Sequence, residues 1–309
     1  MKVLKPPKLN IGDTIGIVAS SLPVLSSYRE NYENRKNILL GMGFKIQKGK
    51  TIGKFRGWMA GTPEEIAQDI NNMFADKSVK AIFAFDGGYS AISVIEHLNY
   101  DLIKQNPKPF MGMSDMTIYH LAIFSKTGMV GFHMDYLANF SGEFFLKFLT
   151  NPKVPGIIKS LTTWEVWKKG KTEGRLMGGI LQRISMLAGT KYFPNIEDFD
   201  GAILFWEEIG VDITEIYQCL YQLKNMGILD RINGMLIGKI KYLKKMKQEE
   251  IIEPSVKEMV LEIMKDYNFP IMANLDFGHD TINIPMPIGI KVSFDSEKKE
   301  LKFLEGAVI

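Results

Sequence analysis

The chain has 309 residues, 46% of them hydrophobic and 24% charged, and a formal net charge of +3. A chain of that length makes two domains or one large one and buries about three quarters of its unfolded surface without staples. Its charge is too mild for a nucleic-acid partner, Cys219 alone allows neither an intrachain disulfide nor a multi-cysteine metal site, and no apolar run approaches the ~18 residues of a membrane span.

In chain order, residues 13–21, DTIGIVASS, read as an apolar strand ending in small residues, residues 28–43 as a helix stopped by glycine, and residues 44–50 as a strand. With Lys2 and Lys5 followed directly by Pro6 and Pro7 there is no apolar signal segment ahead of them, so a cytoplasmic location is expected. Residues 62–76 open with Thr62 as N-cap, Pro63 in the first helical position and acids in the first turn. A buried-type strand over 79–85 leads through DGGYS into a helix over 91–98, and the strand 109–113 with the helix after Ser114 repeats that plan. The alternation predicts an α/β N-terminal domain, residues 1–145, with a mostly parallel sheet flanked by helices. Prolines, glycine and polar residues over 146–173 predict an interdomain linker. Beyond it, strands at 201–209, 232–240 and 270–278, helices at 212–227 and 253–268 and a hairpin over 290–305 predict a smaller, β-rich α+β C-terminal domain, residues 174–309. The one dense basic run, residues 239–250, ends in acids and reads as a solvated connection.

Open parallel sheets bind ligands at the carboxyl ends of their strands. After the strand 79–85 comes Asp86-Gly87-Gly88, where glycines let backbone amides approach an anion at a helix start, or simply supply a tight turn. After the strand 109–113 comes Gly112-Met113-Ser114-Asp115, the first half of a Gly-x-Ser-x-Gly elbow with Met116 in place of the last glycine. By local rules alone Ser114 is a helix cap and Asp115 suits the helix dipole. A serine nucleophile needs a base and an orienting acid. His97 and His120 fall inside helical patterns, as packed or exposed side chains. His133 follows a short strand and could line a site. His279, after Gly278 in an irregular segment beyond a strand, is either a base or an exposed loop histidine. Glu207 and Glu208 end an apolar strand, as solvated acids or as carboxylates able to hold an imidazole. No His-Glu-x-x-His pattern or carboxylate cluster has metal spacing, so no metal or other cofactor is expected.

Taken together, LNIGDTIGIVASS, GWMAGTPEEIAQDINNMFADKSVKAIFAFDGGYSA, PFMGMSDMTIYHLAIFSKTGMVGFH, GRLMGGILQRISMLAGTKYFPNIEDFDGAILFWEEI, LYQLKNMGILDRINGMLIGK and FGHDTINIPMPIGIKVSFD, in this order, resemble the serine peptidases that include the LD-carboxypeptidases and the microcin C immunity peptidases. The resemblance covers nearly the whole chain. It implies Ser114 as nucleophile, Glu207 as triad acid and His279 as base, with the backbone amides of Gly88 and Asp115 as oxyanion hole. It also implies an N-terminal α/β domain joined to a smaller β-rich one with the site between them, and a homodimer acting on a small peptide or peptidyl-nucleotide. Asp86 stands where carboxypeptidase members tend to have arginine, Ile180 where the family has Gly-Gly-Asn-Leu, and Met134-Asp135 where Gly-Pro usually follows Gly-Phe-His. Gly87, Asp86, His133, Trp164 and Trp167 are candidate substrate contacts, the tryptophans either packed in the fold, the reading their setting favours, or stacking on a nucleotide. Segments such as FADKSVKAI, FSKTGMV and MPIG lean toward the microcin-immunity branch. The departures also motivate a different class, a catalytically impaired binding protein on the same fold, and the DGGYS turn a weaker one, a nucleotide-binding domain.

Overall fold

The computed structural model describes residues 2–25, 29–135, 141–245, 252–279 and 282–309. Tyr28 at the expected start of the first helix and residues 246–250 of the basic run lie outside the described residues. The first sheet contains β1 (Thr14–Val18), β2 (Lys45–Lys48), β3 (Val79–Ala84), β4 (Phe110–Gly112) and β5 (Gly131–His133), parallel in the order β2-β1-β3-β4-β5. Strand order reverses between β1 and β3, which opens a crevice at the carboxyl ends of these strands. Helix α1 (Arg29–Gly41) joins β1 to β2. Helix α2 (Pro63–Ala75) starts as its sequence requires: Thr62 accepts from the Glu65 amide, Glu65 answers to the Thr62 amide, and Pro63 takes the first turn. The helix expected over 91–98 is α3 (Ala91–Val94) tightening into a 3-10 turn at Ile95–His97, followed by α4 (Tyr100–Gln105).

Helix α5 (Met116–Thr127) is apolar almost all round and accordingly buried almost all round, ending at Gly128 with φ 76°. It packs on β4 and β5 on one side and against the second half of the chain on the other. Its first turn thus lies at the seam between the two sheets.

After α6 (Ser141–Leu149), the second sheet takes β6 (Ile157–Lys159), β7 (Glu165–Lys168), β8 (Lys171–Ile180), β9 (Ile203–Ile209), β10 (Gly234–Lys241) and β11 (Ile271–Ala273), with β13 (Lys291–Asp295) and β14 (Glu300–Phe303) as the expected hairpin. Its order is β6-β14-β13-β8-β9-β10-β11-β7. Strands β8 to β11 are parallel, joined by α7 (Leu181–Leu187), α8 (Ile213–Asn225) and α9 (Val256–Ile263), and antiparallel strands close both edges. The segment expected as a linker, 146–173, contributes edge strands β6 and β7, because Ile158 and Trp164 supply apolar surface that only the sheet can cover. The short β12 (Met286–Pro287) returns from the second half to pair with β5. Cys219 is a buried free thiol on α8. Among the described residues no helix is long and apolar enough to cross a membrane.

Two adjacent glycines bring the halves together. A Cβ on Gly178 would lie 1.8 Å from the Phe205 carbonyl oxygen, and one on Gly179 would lie 2.4 Å from Thr117 Oγ1 of α5. The Ile180 amide then donates to Thr117 Oγ1 at 2.9 Å. This close approach of β8 to α5 places the end of β9 opposite the start of α5.

Candidate active site

Ser114 follows β4 with φ 65°, in the left-handed region that a residue with a Cβ rarely occupies. Asp115, not Ser114, is the N-cap residue of α5, and its side chain makes no capping bond. The local cap expectation for Ser114 therefore fails. Its left-handed turn between a strand and a helix has the backbone form that a nucleophile elbow uses. Met116 fills the position of the missing elbow glycine, and Gly112 gives it room: a Cβ there would lie 2.7 Å from Met116 Cγ.

Ser114 and His279 line one cavity of about 530 Å³, together with Asp86, Gly87 and Gly88. Glu207 lies behind the histidine, fully buried at the end of β9, with Oε2 2.8 Å from His279 Nδ1. His279 keeps a side-chain exposure of 20%, so it is reachable from the cavity and no loose loop residue. Burial alone would raise the Glu207 carboxyl, but the His279 and His133 imidazoles outweigh it and hold it at about 2. Burial likewise disfavours protonated His279, yet the Glu207 carboxylate overrides that and raises the imidazole above its ordinary value. The Ser114 hydroxyl has no hydrogen-bond partner among the described residues. Nucleophile–base bonds are commonly long in unliganded sites and tighten with substrate.

His133 is not a cavity residue. It is wholly buried behind Glu207, with Nε2 3.3 Å from Oε1 in an alignment too poor for a hydrogen bond, and both its ring nitrogens lack partners. Its contact with Glu207 is electrostatic. His120 lies deeper in α5, and burial drives its imidazole down to about 3, so it is neutral. Trp164 and Trp167 do not face the cavity either. The Trp164 indole is fully buried and donates to Asp276 Oδ2 at 2.7 Å, while Trp167 on edge strand β7 donates to Glu165 Oε2 at 2.8 Å. Anchoring the edge of the second sheet, not stacking on a ligand, accounts for both.

Glu208 is no solvated strand-end acid. It is 2% exposed, lines the cavity, and accepts the Gln182 amide at 2.5 Å at the start of α7. Burial lifts its carboxyl to about 7. Asp86, in a left-handed turn at φ 55°, faces the cavity beside Asp135, and Arg35 of α1 reaches both, at 3.6 Å and 3.4 Å. The arginine packs over the Phe85 ring at 4.9 Å. Sequence reasoning missed Arg35 because it is one of three cations on a polar helix and looks no different from a solvated one.

The two turns touch. A Cβ on Gly87 would lie 2.5 Å from Ser114 Cβ and 2.6 Å from its Oγ, and one on Gly88 would lie 2.3 Å from Ser21 Oγ. The Gly87 carbonyl accepts the Leu22 amide at 3.0 Å, and the Ser114 carbonyl accepts the Thr117 amide at 3.0 Å. In a trans peptide the N–H opposes the C=O, so these bonds fix the planes carrying the Gly88 and Asp115 amides. Neither amide has an acceptor among the described residues. Replacing Gly87 by Ala drives a methyl into Ser114 and is expected to lower kcat about 100-fold with a melting temperature shift of only a few degrees. Steady-state kinetics with circular dichroism melting checks this, and unchanged kcat would mean that Ser114 is not the reacting group.

The N-terminal domain of the LD-carboxypeptidases matches residues 15–134, and their C-terminal domain matches residues 173–294. The microcin C7 self-immunity protein MccF of Escherichia coli is 27% identical over 96% of this chain and 94% of its own length. The probable murein peptide carboxypeptidase of Bacillus subtilis is 29% identical over 96% of this chain and 92% of its own. Among solved structures, the microcin C7 self-immunity protein in complex with aspartyl sulfamoyl adenosine superposes with a TM-score of 0.88 at 25% identity, covering 99% of this chain and all of that one.

Proposed function

The chain belongs to the LD-carboxypeptidase family, a family of peptidases, and from that premise we propose that it is a serine peptidase with Ser114 as nucleophile, His279 as base and Glu207 as orienting acid. The observation that carries the proposal is the Glu207–His279 hydrogen bond of 2.8 Å, set beside the same cavity that Ser114 lines from a left-handed turn. His279 Nδ1–H donates to Glu207, which leaves Nε2 to take the proton of Ser114 as its oxygen attacks an amide carbonyl. The amides of Gly88 and Asp115 receive the oxyanion, each donor worth about 10²–10³ in rate. His279 then protonates the departing amine, and water releases the acyl group by the same steps in reverse.

The substrate is a small amide, either a murein peptide or an aminoacyl-nucleotide, classes drawn from what the relatives are named for and bind. A cavity of about 530 Å³ suits a short peptide or a nucleoside conjugate and no folded protein. Incubation with a murein tetrapeptide and, separately, with an aspartyl adenylate analogue carrying a cleavable amide tests this by mass spectrometry. One of the two is expected to be cleaved, and the intact mass of both after prolonged incubation would leave only the binding-protein alternative. The proposal includes a homodimer in the cytoplasm, for which light scattering at micromolar concentration is expected to give twice the chain mass of 35.0 kDa.

A further inference from the structure

Helix α7 crosses from the second half of the chain onto the two turns of the first. From it projects Arg183, which is 6% exposed. A guanidinium cannot be buried without acceptors, and the acceptors it finds are specific. Nε donates to Asp115 Oδ1 at 2.9 Å, and Nη2 donates to the Gly88 carbonyl at 3.0 Å. Nη1 donates to Gln182 Oε1 at 2.8 Å, and the Tyr89 ring lies 5.5 Å from Cζ. The two residues gripped by one rigid fork are the two whose amides are assigned to the oxyanion.

We propose that Arg183 is a positioning residue that sets the spacing of the oxyanion hole, by clamping Gly88 and Asp115 to each other from the opposite half of the molecule. This deepens the serine-peptidase proposal and rests on it. The Gly88 N–H and C=O lie on adjacent peptide planes. Leu22 fixes the first through the Gly87 carbonyl and Arg183 fixes the second, so rotation about Gly88 is stopped on both sides. A glycine at φ 147° has no Cβ to restrict it and needs this restraint. On the other turn, the Asp115 carboxylate shares its oxygens between Arg183 on Oδ1 and both Ser21 Oγ (2.7 Å) and the Ala91 amide (2.9 Å) on Oδ2. Ser21 Oγ in turn accepts the Ser90 amide at 3.0 Å. The carboxylate therefore ties the nucleophile turn, the end of β1 and the start of α3 into one rigid body. Because Arg183 comes from α7, whose first turn is held by Glu208 of β9, the strand carrying Glu207 and the oxyanion amides share one chain of hydrogen bonds. The acid, the base and the oxyanion donors keep their mutual distances only while the two halves stay docked.

The clamp touches donors that bind charge developing in the transition state, so its loss lowers kcat and spares KM. Arg183→Met, Arg183→Lys, Asp115→Asn and Ser114→Ala are compared with the unaltered protein on whichever of the two amides above is cleaved. Arg183→Met is expected to lose 10- to 100-fold in kcat with KM within twofold. Arg183→Lys, whose ammonium reaches one acceptor but not both, is expected to recover part of that loss. The double variant R183M/D115N is expected to be no slower than the worse single one, since both substitutions break one clamp. Melting temperatures identify any variant that fails to fold, and Asp115→Asn carries the test if Arg183→Met does. If Ser114→Ala abolishes turnover while Arg183→Met and Asp115→Asn keep kcat within twofold, the clamp is overturned and the serine mechanism stands. If Ser114→Ala turns over normally, the mechanism falls and the clamp with it.

Discussion

Ser114→Ala is expected to reduce turnover by roughly 10⁴–10⁶-fold, the loss found when a triad nucleophile is removed, with substrate binding retained. The reason is positional. Ser114 is held at φ 65° by a turn that costs about 1–2 kcal/mol for a residue with a Cβ, and nothing in the packing of β4 or α5 needs its hydroxyl. Gly87 leaves the space against Ser114 Oγ empty of side chain, which a purely structural turn would have no reason to preserve. Removing one oxygen changes no hydrogen bond among the described residues, so Ser114→Ala should melt within a degree or two of the parent. Ser114→Gly should melt higher than Ser114→Ala, because glycine occupies the left-handed region without strain. That gain would mark a residue whose strain serves chemistry and not stability. The measurement is turnover of the cleaved amide beside calorimetric melting. An alanine variant retaining a tenth of the parent rate would remove Ser114 from the mechanism.

The parallel sheet of the first half was legible because β1, β3 and β4 are short, apolar and each followed by a turn and a helix signal. The site was legible only in pieces. Ser114 obeyed the local rules of a cap, and its left-handed φ is something those rules do not report. Glu207 and Glu208 looked alike as neighbours at a strand end. Period-two alternation sends them to opposite sides of β9, one to His279 and His133 and the other to α7. His133 sits near a strand end, but burial puts it behind the cavity, and Trp164 takes the packing role at the edge of the second sheet. Residues 146–173 had the composition of a linker, yet two of their short apolar stretches are edge strands, since sheet edges tolerate the prolines and glycine around them. Arg183 carried no such signal: beside Gln182 and near Ser185 it reads as the polar side of a helix, and its buried acceptors depend on how the halves dock.

Glu207→Gln should come close to Ser114→Ala in effect, lowering kcat by about 10⁴-fold as amide replacement of a triad acid does. The substitution preserves volume in a site with no exposure, so the loss would be electronic. A glutamine amide facing Nδ1 can place its NH2 there, which forces the proton onto Nε2, where it blocks acceptance from Ser114. The pH profile gives the decisive readout. His279 must be neutral to act as base, so kcat/KM should rise with pH through its value, which Glu207 holds above the ordinary 6.5 despite the opposing effect of burial. Without the carboxylate that inflection should move to lower pH. Stability follows with a definite sign. Glu207 is lowered from 4.5 to about 2, so its contribution is present above 4.5 and is lost as pH falls toward 2. His279 is raised from 6.5, so its contribution is present below 6.5 and is lost as pH rises through the folded value. These are two sides of one ion pair, whose contribution to stability is full between 4.5 and 6.5 and fades as the pH passes through the folded value on either side. The parent should show its greatest melting advantage over Glu207→Gln within that window and a shrinking one on either side. A melting difference that does not vary with pH, together with an unmoved kinetic inflection, would show that His279 is not held by Glu207 in the working enzyme.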